Sequence, residues 1–142
     1  MAGSDRTVIT SSKAPQPLGA YSLGMRVSPG KLVYVAGQVA GQVGVDSSGA
    51  LVGKDAAAAQ TRQVFENIGH VLAGAGANFS NVVEFTTYVV GRPSVQGYLQ
   101  GRSEVYPNLY PNGDFPPNTL LVVAGLVNEN FLVEIKAVAS LP

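Results

Sequence analysis

Two four-residue runs limit most sharply what this chain can fold into: Leu32-Val33-Tyr34-Val35 and Leu120-Leu121-Val122-Val123. Successive side chains of a strand point to opposite faces, so a run that is apolar at both parities needs cover on both sides. Two helices further along the chain can cover one face. With about 25 cal/mol gained per Å² of apolar surface removed from water, self-association is the simplest cover for the other. Short strands covered by loops are the alternative.

Tyr21 to Ser28 and Lys31 to Gly37 read as strands joined at Pro29-Gly30, a hairpin. Gln38 to Gly53, rich in Gly, Ser and Gln, reads as a long loop. Asp55 is the expected N-cap of a helix in which Thr61, Val64, Phe65, Ile68, Val71 and Leu72 recur at three- and four-residue spacing, closed by Gly74 and Gly76. Val82 to Val90 alternates as a strand. A second helix presents Val95, Tyr98, Leu99, Val105 and Tyr106 on one face. Gly97 and Gly101 each weaken it by about 1 kcal/mol relative to Ala, and Pro107 and Pro111 are expected to stop it. Thr119 to Gly125 and Phe131 to Ala139 flank the polar turn Asn128-Glu129-Asn130 and suggest a second hairpin. The expectation is one α+β domain over residues 1–142, ordered ββαβαββ, a mixed sheet with two helices on one face.

Composition excludes much chemistry. Lys plus Arg equals Asp plus Glu, 9 against 9, so no basic field attracts nucleic acid and a small-molecule or protein partner is favoured. Absence of cysteine removes disulfides, thiolate zinc sites and a Cys nucleophile. The single histidine, His70, rules out multi-histidine metal sites and reads as a surface or boundary residue of the first helix. No metal and no cofactor is expected. The first residues lead into no apolar run of signal-peptide length, and no stretch approaches the roughly 20 apolar residues of a membrane helix, so a cytoplasmic protein without membrane contact is expected. Gly53-Lys54-Asp55 lacks the Ser or Thr of a phosphate loop, and Gly74-Ala75-Gly76 follows a helix where a dinucleotide fingerprint precedes one. Asn78-Phe79-Ser80 fits a glycosylation acceptor, but reads better as a turn before the next strand.

Five segments, in order, carry a resemblance: Lys13-Ala14-Pro15, Gly19-Ala20-Tyr21-Ser22, Val35-Ala36-Gly37-Gln38, Gln60 to Ile68 and Val133 to Ala139. Together they resemble the YjgF/Rid family from about Lys13 to Ala139. The resemblance implies a chorismate-mutase-like homotrimer, with three sheets around a central barrel and a small-molecule cleft at each subunit boundary. It also implies hydrolysis of reactive imines and enamines to a keto acid and ammonia, without a cofactor. Glu134 matches the family glutamate and would orient and polarise water; its bland reading is a surface carboxylate sharing a strand face with Leu132 and Lys136. Tyr21 caps the cleft or packs in the interface, and Gly37 of the Gly-Gln pair is grouped with the ligand-binding positions.

The chain departs from the family where it matters most. Deaminating members carry an arginine in a Pro-Ala-Arg-Ser stretch that holds the substrate carboxylate; here the stretch reads Pro116-Pro117-Asn118-Thr119. A neutral amide cannot form the charged bidentate fork, a loss of about 1.5 to 3 kcal/mol for one charge-assisted bond. Leu120 and Ala36 replace a common cysteine and serine. Asn118 and Thr119 either contact the ligand or simply begin the strand. The reading is therefore a trimer that hydrolyses an imine, enamine or related carbonyl compound but is not a standard 2-aminoacrylate deaminase. A non-catalytic metabolite- or protein-binding trimer is the alternative, and endoribonuclease or translation-inhibitor activity, known from some relatives, is disfavoured by the balanced charge. Whether Arg26, Arg62, Arg92 or Arg102 replaces the missing arginine is left open by the sequence.

Overall fold

The structure, a computed structural model, describes residues 6–28, 30–39 and 51–142; most of the Gly-rich stretch expected as a loop falls at 40–50, outside the described residues. The elements are β1 (Arg6–Ile9), β2 (Gly24–Val27), β3 (Lys31–Val39), α1 (Ala57–Gly74), β4 (Val82–Val90), α2 (Pro93–Leu109), β5 (Asn118–Val123) and β6 (Val133–Leu141), with a 3-10 turn at Phe79–Asn81. The expected ββαβαββ order is therefore present from β2 onward, preceded by a short strand that the sequence reading missed. A four-stranded sheet runs β3-β6-β4-β5, and β1 and β2 form a separate pair. β4 and β5 are parallel and the other neighbours in the large sheet antiparallel, so the sheet is mixed.

Among the described residues neither expected hairpin is paired. β2 pairs with β1, Arg6 opposite Val27, and β3 pairs with β6. β5 pairs with β4 through the α2 crossover, while β6 inserts between β3 and β4. Residues 124–132 are longer than the two to five that a tight hairpin favours, which frees β6 to seek other partners. Its Val133, Ile135, Ala137 and Ala139 are all buried, as befits a strand with a neighbour on each side.

The same alternation places Phe85, Thr87 and Val89 of β4 under the helices. Val64, Phe65, Ile68 and Leu72 of α1 complete that core, where Phe65 meets Phe85 and Tyr106 edge-on at 5.7 and 5.6 Å. The two glycines that weaken α2 let it approach α1. A Cβ at Gly97 would stand 2.6 Å from the Ala57 Cβ, and one at Gly101 2.7 Å from the Ala58 carbonyl oxygen. Gln60, wholly buried, clips the start of α1 to β6: its amide donates to the Gly53 and Asn130 carbonyls and accepts from the Leu132 N–H.

Three local expectations change. Asp55 does not cap α1: its φ is +59, which places it in the turn, and the helix begins after Ala56 without a side-chain cap. Pro107 does not stop α2, which continues to Leu109. Tyr106 and Tyr110, ring centroids 5.2 Å apart and both buried, hold the last turn in the core despite the missing N–H. β3 ends at Val39, two residues later than Gly37. Elsewhere the reading agrees. α1 ends at Gly74, with Ala77 N–H donating to the Leu72 carbonyl and Gly76 N–H to that of Ala73, a Schellman closure. Asn78 caps the 3-10 turn, and His70 is exposed beside Glu66.

The sheet face away from the helices is bare. Tyr34 is 73% and Leu32 55% exposed, and Leu121 joins them among the exposed apolar residues. Among the described residues no helix is long and apolar enough to cross a membrane.

Candidate ligand site

β5 is an edge strand, and along its start a cavity of about 460 Å³ opens between α2 and the segment before β2. Leu18, Tyr21, Leu99, Arg102, Asn118 and Thr119 line it. Three of the residues expected at the site, Tyr21, Asn118 and Thr119, thus come together from segments far apart in sequence. The Tyr21 hydroxyl accepts from the Leu18 N–H at 3.1 Å and closes the turn that walls the cavity. Its own proton remains available to a ligand. Thr87 donates to Asn118 Oδ1 at 2.8 Å, which fixes the amide and leaves its NH2 group as the donor for the cavity.

Glu134 and Gly37 form a second group, away from this cavity. A bulge in β3 between Val35 and Gln38 brings Gly37 against Glu134, and a Cβ there would lie 2.9 Å from Glu134 Cδ and 3.1 Å from Oε2. Only glycine leaves the carboxylate its place. Burial raises the Glu134 pKa above the ordinary 4.5, since a half-buried carboxylate is less well hydrated when charged. Among the described residues no donor pairs with it. Glu134 lies beside Tyr88, and Tyr88 beside Leu121, all on the bare face. Asn118 belongs to the helix face with its partner Thr87. β4 separates the two strands, roughly 10 Å at the usual spacing. Within one chain the two groups do not meet.

The arginine question has a geometric answer. Arg62 is paired with Glu104 at 2.7 Å and Arg26 is exposed on β2, but Arg102 lines the cavity with Asn118. It is only 9% exposed, stacked over the Tyr98 and Tyr106 rings at 5.4 and 5.6 Å. A signal for it was present. Residues 98, 102 and 106 are four apart on a helix, so a charge between two core tyrosines points where they point. Among the described residues no group of three His, Asp or Glu side chains is arranged to hold a metal.

An edge-strand cavity and a bulge-framed carboxylate are thus set on a mixed sheet with two helices over one face. The Endoribonuclease L-PSP family profile matches residues 11–141, and the chain belongs to this family, also called YjgF/Rid. A 2-iminobutanoate/2-iminopropanoate deaminase of Rattus norvegicus is 34% identical over 134 residues, 94% of this chain and 89% of the relative. The crystal structure of a Rid-family protein of unknown function, YyfB from Yersinia pestis, superposes with a TM-score of 0.82 at 31% identity, covering 96% of this chain and 98% of that one. A Mycobacterium tuberculosis member of the YjgF/YER057c/UK114 family superposes at 0.60 with 29% identity, covering 96% and 99%.

Proposed function

We propose that the chain, acting as one domain, assembles into a homotrimer and hydrolyses a small imine or enamine without a cofactor. The observation that carries this reading is the split site. A cavity holding Tyr21, Asn118 and Thr119 lies at the unpaired edge of β5, and Glu134 with Gly37 lies on a bare apolar face. A second copy laid against that edge supplies the missing half. The number three comes from the family resemblance; the need for a partner comes from the exposed Leu32, Tyr34 and Leu121.

In the assembled cleft Glu134 accepts a proton from water as the water oxygen adds to the imine carbon. The proton passes to the nitrogen to give a carbinolamine, whose hydroxyl proton then moves to the amino group as the C–N bond breaks, and a keto compound and ammonia leave. A raised pKa suits this role, because a base works best when its pKa lies near the working pH. Further desolvation in an interface pushes it in the same direction. Gly37 and its neighbouring backbone groups approach the substrate closely, and Tyr21, Asn118 and Thr119 hold it by hydrogen bonds. The relatives named as iminobutanoate and iminopropanoate deaminases support the reaction class.

Asn118 in place of the family arginine sets the expected specificity, with slow turnover of a 2-aminoacrylate-type imine. Semicarbazone trapping of that imine tests it, and a rate equal to that of an arginine-bearing relative overturns it. For the preferred substrate, Glu134→Gln should lower turnover by about 10² or more while ligand affinity changes little. Unchanged turnover would remove Glu134 from the chemistry.

A further inference from the structure

We infer that Arg102 is the anion anchor of the cavity, and that the site takes an organic carboxylate carrying an apolar body. Arg102 is a cation in an unusual position: 9% exposed, yet without an acidic partner or hydrogen-bond acceptor among the described residues. Buried charges are normally paired. The guanidinium is held by stacking on Tyr98 and Tyr106, which orients the planar group but leaves its N–H donors unused. It lines the same cavity as the free amide of Asn118. Gly19 of the cavity wall lies next to it, since a Cβ there would stand in van der Waals contact with Nη2, 3.4 Å away.

The remaining walls specify the rest of the ligand. Leu18, Leu99 and Leu120 line the cavity, and about 460 Å³ is within the range of sites for ligands far larger than a three-carbon acid. A planar fork that recognises a carboxylate bidentately therefore sits beside an apolar wall. Because the charge comes from α2 and not from the start of β5, a short substrate anchored on Arg102 is displaced from the place that the family arginine would give it. This favours a longer substrate. The inference rests on the cavity half of the site proposed above and does not depend on the role of Glu134.

Phenylacetate and phenylacetamide are matched probes, alike in shape and different in charge. Isothermal titration of the full chain should show phenylacetate bound at least tenfold more tightly than phenylacetamide, and more tightly than acetate. Arg102→Gln should weaken phenylacetate by ten- to a hundredfold and leave phenylacetamide unchanged, so the charge preference disappears. Arg102→Lys should keep part of it. Loss of packing alone would weaken both probes equally and would overturn the inference, as would equal binding of the two probes by the parent. If Arg102→Gln fails to fold, Asn118→Asp decides: a carboxylate on the helix face of the same cavity should compete for the guanidinium and weaken phenylacetate far more than phenylacetamide, and unchanged phenylacetate binding overturns the inference. Loss of charge preference in Arg102→Gln together with unaltered turnover in Glu134→Gln would refute the hydrolytic reading while leaving the anchor in place.

Discussion

At Glu134 a single carboxylate links stability to chemistry. Burial raises its pKa in the folded chain above 4.5, so ionisation costs folding free energy wherever the group is charged. The cost is present above the folded pKa, shrinks as pH falls through it, and is gone below about 4.5, where the group is protonated in both states. Glu134→Gln is neutral throughout. It should therefore be more stable than the parent at pH 7, by less than about 1 kcal/mol because solvent still screens the group. Thermal melts between pH 7 and pH 4 should show the two proteins converging toward acid. A gap that opens toward acid would mean that the charged carboxylate is stabilised by a partner.

Among the elements, the contact between α1 and α2 depends on the two glycines of α2. Propensity alone favours Gly101→Ala by about 1 kcal/mol. The new Cβ, however, would meet the Ala58 carbonyl oxygen at 2.7 Å and Thr61 Cβ at 2.8 Å, and neither can move without shifting α1. Overpacking of this kind costs about 1 to 3 kcal/mol, so packing outweighs propensity. The variant should melt roughly 2 to 8 °C lower, measured by circular dichroism. A higher melting temperature would show that the helices separate without penalty. Because α2 also carries Arg102, a shift of this helix should weaken phenylacetate binding as well.

For the whole molecule, the bare face predicts assembly. Sedimentation at micromolar concentration should give about three times the 14.7 kDa chain mass, and a stable monomer would remove the basis of the proposed cleft. Tyr34, 73% exposed on β3, contributes little to the core of a single chain. Tyr34→Asp should therefore shift the sedimentation toward monomer while the circular dichroism spectrum is retained, because a charge is costly in an apolar interface. Turnover should fall as assembly is lost, since in the proposed cleft Glu134 comes from another copy.

Local chemistry in the chain was sufficient for much of this. Three- and four-residue spacing located both helices, β-branched and aromatic runs, with two-residue alternation in Val82 to Val90, located the strands of the large sheet, and the doubly apolar runs pointed to a face that one chain leaves uncovered. The family resemblance singled out Tyr21, Asn118 and Thr119, and the structure gathers these three in one cavity. Pairing was not legible. Hairpins are the default for neighbouring strands, but which strands pair depends on contacts distant in sequence, and the insertion of β6 between β3 and β4 displaced both expected hairpins. That same insertion sets Glu134 apart from Asn118. The parity of each residue is local, whereas the order of strands in the sheet is not. Arg102 shows the same division: its spacing from Tyr98 and Tyr106 places it on the inner face of α2, but only the packing of α2 over the sheet brings it to the cavity that Asn118 also lines.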